Sequence, residues 1–167
     1  MRGPLATRPK RKVKAIRSAD LRVNTLSAQP SAYLARNAHR AFQRVLELRI
    51  SPYGVTRGQW YFLRALWEED GLSQRELSQR VGTREPTAAI ALRAMEKSGL
   101  IQRIRSAEDS RRSHVSLTPK AKKLREKLLQ VVHGITRDAE KGIGSTELAI
   151  FRRAAAHMIF NLDRLEK

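Results

Sequence analysis

SQRELSQRVGTREPTAAIALRAMEKSG, residues 73–99, is the stretch that decides the fold. Ser73 followed three residues later by Glu76 is a capping box, in which hydroxyl and carboxylate satisfy the free N–H groups of a helix start. The short helix it opens turns Leu77 and Val81 toward a core. Gly82-Thr83-Arg84 is a tight turn. A longer helix then runs from about Glu85 to Ser98, with Pro86 near its first position and Gly99 as its stop. Short helix, glycine-containing turn and longer helix make a helix-turn-helix.

The flanks extend this unit. Leu100-Ile101-Gln102-Arg103-Ile104-Arg105 alternates apolar and polar, as does Ser113-His114-Val115-Ser116-Leu117, with the charged Ser106–Arg112 between them. This predicts a two-strand hairpin, a wing, with a long basic tip. Thr118-Pro119 opens a long helix through Leu124, Leu128, Leu129, Val132 and Ile135. Gly142 and Gly144 break it, and Ser145 to about Leu165 forms the last helix. On the other side, Pro30-Ser31 starts a helix that Ser51-Pro52-Tyr53-Gly54 ends. Thr56 caps the next, which carries Trp60, Phe62, Leu63, Leu66 and Trp67 and stops at Gly71.

Residues 1–25 hold Arg2, Arg8, Lys10, Arg11, Lys12, Lys14, Arg17 and Arg22 against Asp20 alone, with Pro4 and Pro9 interrupting any helix. They read as a basic arm, disordered at least through about residue 18, either a solubilising tail or a contact to a nucleic-acid backbone. The expected class is mainly α with a small β-hairpin wing: a winged helix-turn-helix flanked by N- and C-terminal dimerisation helices. The expected divisions are the arm at 1–25, an N-terminal dimerisation helix at 26–55, the DNA-binding unit at 56–118 and C-terminal dimerisation helices at 119–167.

Composition narrows the partners. The 167 residues carry 34 Lys and Arg against 16 Asp and Glu, a formal charge of +18. Such an excess calls for a polyanion, nucleic acid first and an anionic membrane second. Cysteine is absent, which excludes disulfides, thiolate zinc sites and thiol redox sensing. No apolar run reaches the ~18 residues that suggest a membrane span. The basic N-terminus is followed by no apolar stretch and does not read as a secretory signal, so the cytoplasm is the expected compartment. No phosphate-binding glycine loop, HExxH or Gly-x-Ser-x-Gly appears, and His39, His114, His133 and His157 are dispersed. No catalytic residue, metal site or cofactor is therefore expected. Glu68-Glu69-Asp70 reads as a solvated helix end.

On the helix from Glu85 to Ser98, Ala88, Ala91, Leu92 and Met95 share the core face. The opposite face carries Pro86, Thr87, Ile90 and Arg93, with Ala89 and Ala94 at its edges. It is small and almost free of acid, as a helix entering the major groove must be. Thr87 can hydrogen-bond base edges, Ala89 or Ile90 can pack on a thymine methyl, and Arg84 and Arg93 can reach guanine or phosphate. Glu85 favours the helix dipole but lies near phosphates. An amphipathic helix of an ordinary bundle shows the same periodicity; the preceding glycine turn and the following hairpin favour a groove-reading helix. At the wing tip, Glu108-Asp109-Ser110-Arg111-Arg112 places an arginine two residues after an aspartate. An arginine there can enter the minor groove while the aspartate orients its guanidinium. A solvated charged turn is the other reading of that tip.

The stretch from Leu72 to Pro119 resembles a MarR-family winged helix. The resemblance rests on Leu77, Val81, Gly99-Leu100-Ile101, Arg103, Asp109-Ser110-Arg111-Arg112 and Leu117-Thr118-Pro119. With its flanking helices it covers about residues 26–167. It implies a homodimer on a pseudo-palindromic double-stranded DNA operator, usually a repressor relieved by a small ligand. By position, Ser73 and Gln74 would meet phosphates, Thr87, Ile90 and Arg93 the major groove, and Arg111, paired with Asp109, the minor groove. The apolar stripes of the outer helices suit burial against a second copy, which would set two reading helices ~34 Å apart.

The family's ligand pocket would draw on Tyr33, Arg36, Asn37, His39, Arg40, Trp60, Phe62 and Trp67. These would suit an aromatic carboxylate or a larger anion such as a CoA thioester. Core packing for the aromatics and a solvated helix face for Arg36, His39 and Arg40 are the plainer readings. A non-specific, nucleoid-type nucleic-acid binder is the competing function.

Overall fold

The computed structural model describes residues 21–105 and 113–165. The chain divides into two compact units, residues 1–44 and 45–167. In the first, residues 21–27 form a helix, α1, and Ser31–Ile50 begins a second, α2, which continues into the other unit. The arm expected over residues 1–25, disordered at least through about residue 18, overlaps this helix at residues 21–25. Residues 21–27 contain neither proline nor glycine, and the Thr25 and Ser27 hydroxyls donate to the carbonyls of Leu21 and Asn24 at 2.8 and 2.9 Å. Residues 1–20 lie outside the described part.

In the second unit, α2 ends where expected. A 3-10 turn, Ser51–Tyr53, closes on Gly54 in the left-handed region. Helix α3, Arg57–Glu68, begins with a complete capping box: the Thr56 hydroxyl accepts from Gln59 N–H, and the Gln59 side chain accepts from Thr56 N–H. Helices α4, Gln74–Val81, and α5, Glu85–Lys97, follow. Strands β2, Ile101–Arg105, and β3, Ser113–Leu117, pair antiparallel with Ile101 opposite Leu117 and Arg105 opposite Ser113.

The sheet has a third strand that the two-strand expectation lacked. Strand β1, Leu72–Ser73, pairs with β3 through Leu72 opposite Val115, giving the order β1-β3-β2. Two residues are too few to show alternation, and the Gly71 N–H extends the pairing onto the Val115 carbonyl at 3.2 Å.

Helices α6, Pro119–Glu140, and α7, Ser145–Asp163, complete the chain. The core joins Leu46, Ile50, Leu63 and Leu66 to Leu77, Leu92, Met95, Val115 and Leu128, all buried. Trp60 and Trp67 pack edge to face at 5.7 Å, and Trp67 Nε1–H donates to the Ala121 carbonyl at 3.2 Å. That bond fixes the start of α6 on α3. The segment expected as C-terminal dimerisation helices therefore shares a compact unit with the helix-turn-helix. Helix α7 buries no residue and leaves Ile150, Phe151, Ile159, Phe160 and Leu162 exposed. Among the described residues no helix is long and apolar enough to cross a membrane.

Candidate nucleic-acid interface

Each end of the helix-turn-helix is tied down. At the start of α4, the Ser73 hydroxyl accepts from Glu76 N–H at 3.3 Å, and the Glu76 carboxylate accepts from Ser73 N–H at 2.8 Å. Hydrogen bonding by Ser73, side chain first and backbone second, holds the Glu76 carboxyl below its usual pKa, with smaller help from His114 and Arg80. At the end of α4, Gly82 has φ 68°, and the N–H groups of Gly82 and Thr83 close back on Gln79 and Ser78. Gly99, also φ 68°, ends α5 the same way: Gly99 N–H reaches Glu96 and Leu100 N–H reaches Met95. These are Schellman closures, for which a left-handed glycine is the unstrained residue.

Helix α5 is thereby set with two distinct faces. Ala88, Leu92 and Met95, spaced i, i+4, i+7, are fully buried. Thr87, Ile90, Ala94 and Lys97, spaced i, i+3, i+7, i+10, are exposed. Of the residues expected on the reading face, Arg84, Thr87, Ile90 and Arg93 are all exposed. Ile90 is 65% exposed, whereas Ala89 is half-buried. Arg93 lies back along the helix, its Nε–H donating to the Ala89 carbonyl at 3.2 Å.

Ser73 and Gln74 are half-buried at the start of α4. Since Ser73 uses a lone pair to cap, its O–H remains a donor. The Gln74 carbonyl oxygen accepts from Arg103 Nη2 at 3.2 Å, which leaves its NH2 group as the donor facing outward chemistry. Asp109, Arg111 and Arg112 lie outside the described residues.

Sequence reasoning gave no structural role to Arg103 or Lys120 and read Asp70 as part of a solvated helix end, yet all three hold this arrangement. Arg103 on β2 bonds Gln74 of α4 and pairs with Glu96 of α5 at 3.5 Å, linking both helices to the wing strand. Asp70 accepts from the N–H groups of Leu117 and Gly71 at 2.8 and 3.0 Å and pairs with Lys122 at 3.2 Å, joining β3 to α6. Lys120 Nζ caps the end of α5 by donating to the Ser98 carbonyl at 2.8 Å, where a cation also suits the helix dipole. Polar residues that join elements distant in sequence carry no periodic signal. Lys97, which sequence reasoning also missed, could have been found by extending the stripe that begins at Thr87.

The residues expected around a ligand fall in both units. In the first, Tyr33, Arg36, His39 and Arg40 are exposed; Asn37 donates to the Tyr33 carbonyl at 3.0 Å, and His39 bonds Gln43. In the second, Trp60, Phe62 and Trp67 belong to the core. An open groove of about 470 Å3 lies elsewhere in the second unit, lined by Arg49, Pro52, Tyr53, Lys127, Gln130, Val131 and Gly134. Among the described residues no three His, Asp or Glu side chains cluster as metal ligands.

A model of the MarR family matches residues 53–112. The HTH-type transcriptional regulator TtmR of Methylorubrum extorquens is 32% identical over 98 residues, 59% of this chain and 50% of that protein. The match thus spans about half the length of that curated relative. The crystal structure of transcriptional regulator PA3341 is 33% identical, with a TM-score of 0.70 over 80% of this chain and 98% of that one. The S. aureus MepR–DNA complex aligns at TM-score 0.73 over 80% of this chain and 98% of that one. At 22% identity it speaks for the fold alone. Family match, relatives and fold agree, and the chain belongs to the MarR family.

Proposed function

We propose that this chain is a sequence-specific DNA-binding transcriptional regulator, working as a homodimer and acting in the cytoplasm. The observation that carries this reading is the two-faced α5: Ala88, Leu92 and Met95 anchor it while Thr87, Ile90 and Arg93 stand in solvent. An exposed, acid-poor helix face on a protein of charge +18 suits the major groove of DNA. Ser73 and Gln74 present donors to phosphates beside it, with Arg84 at the start of α5. At the wing tip, Arg111 with Asp109 and Arg112 would reach the minor groove. The fold shared with MepR, a protein captured on DNA, supports the same reading.

The exposed apolar side chains of α7 support a second copy as partner. A two-fold dimer presents two α5 helices to a pseudo-palindromic operator. Repression released by a small anion, an aromatic carboxylate or CoA thioester, completes the proposal. Such a ligand must bind the DNA-incompetent state more tightly, since only differential affinity shifts the equilibrium. Tyr33, Arg36, Asn37, His39 and Arg40 of α2 are the candidate contacts, since Trp60, Phe62 and Trp67 are buried in the core of the other unit.

The test is a titration of the full chain against the intergenic DNA upstream of its own gene, with random duplex as competitor at ~150 mM salt. A specific regulator is expected to prefer its site by ~10^3 or more. Equal affinity for every duplex in a genome-wide selection would replace a regulator with a non-specific basic binder.

A further inference from the structure

We infer that Ile90 makes thymine, through its C5-methyl group, a requirement within each half-site. This rests on α5 being the helix that enters the major groove. Ile90 is the one large apolar side chain exposed on α5, and it sits in the middle of the stripe from Thr87 to Lys97. The fold gives no reason for it. At 65% exposure it covers little of the core, and isoleucine is a poorer helix former than the alanines beside it.

The chemistry of the groove supplies a reason. Each base edge there offers a hydrogen-bond donor or acceptor, and isoleucine can satisfy neither. Pressed against adenine, guanine or cytosine, it strips water from a polar group and returns nothing. Thymine alone adds a methyl group that an apolar side chain can cover. The flanking residues fit this use: Ala89 and Ala94 are short enough to let Ile90 approach, while Thr87, one turn earlier, brings a hydroxyl. The exposed stripe holds no Asn or Gln, the side chains that pair bidentately with adenine, so the A·T pair is read from its thymine side.

The experiment begins with the duplex enriched from a random library by the full chain. Each thymine in turn is then replaced by deoxyuridine, which removes the methyl group and keeps every hydrogen bond. Covering one methyl is worth about 0.8 kcal/mol, or about four-fold in affinity. One thymine per half-site should therefore show about a four-fold loss with the wild type. The loss should disappear with Ile90→Ala and largely persist with Ile90→Val. Tolerance of deoxyuridine at every position, or an equal loss with Ile90→Ala, would overturn the inference and leave the DNA-reading proposal standing. Enrichment of no sequence at all would overturn both.

Discussion

Replacing Leu92 and Ile90 by alanine, one at a time, should separate the two faces of α5. Leu92 is fully buried beside Ala88 and Met95. Truncating it removes three carbons from a packed site and leaves a cavity, at a cost of about 3–5 kcal/mol. Ile90 is 65% exposed, so roughly a third of its side chain contacts protein. Losing a third of three carbons' burial costs about 0.8 kcal/mol. Alanine's better helix propensity returns about 0.4 kcal/mol of that. Ile90→Ala should therefore shift stability by less than about 0.5 kcal/mol, close to the range of surface substitutions. Urea unfolding followed by tryptophan fluorescence measures both, because Trp60 and Trp67 report on the same core. Leu92→Ala should lower the midpoint sharply at an unchanged slope, and Ile90→Ala should leave it almost in place. Equal losses from the two variants would refute the assignment of faces.

Three further outcomes follow from the same contacts. Glu76 has a folded pKa below its ordinary 4.5, so its contribution is complete above the unfolded value and is lost as pH falls through the folded one. Urea unfolding from about pH 6 to about pH 3 should show a shallower acid loss in Glu76→Gln, and an unchanged slope would contradict the capping role. Gly82→Ala should cost about 1–2 kcal/mol from left-handed backbone strain, since a Cβ there meets nothing within 4 Å; an unchanged midpoint would argue against that conformation. Phe151→Glu or Phe160→Glu removes a ring whose burial in the proposed dimer would be worth about 2–4 kcal/mol. Sedimentation should then show the proposed dimer dissociating at least about 30-fold more readily, with helical content retained; an unaffected assembly would put the interface elsewhere.

The helix-turn-helix was legible because its signals are local. Ser73 and Glu76 stand three apart, Gly82 and Gly99 each follow a helical run, and Ala88, Leu92 and Met95 repeat at helical spacing. Strand β1 was not legible, since two residues carry no period and Leu72 is defined only by Val115, more than forty residues away. Helix α1 was masked by composition, because Arg22 and the basic run before it looked continuous. The bridging roles of Arg103, read only as a strand residue, and of Asp70, read as a solvated helix end, were hidden for a related reason: each arises only when α4, α5, β3 and α6 are assembled around it. The reading face could be listed from the sequence, but the choice between Ala89 and Ile90 could not. It depends on the rotation of α5 against its core, which half-buries one and exposes the other.

Selection of bound duplexes from a random library, followed by footprinting of the enriched site, tests the central claim most directly. Two α5 helices related by a two-fold axis predict two inverted half-sites, centred one helical turn or ~10 base pairs apart, each protected across its major groove. A protected site without inverted symmetry, or protection spread evenly over any sequence, would contradict it.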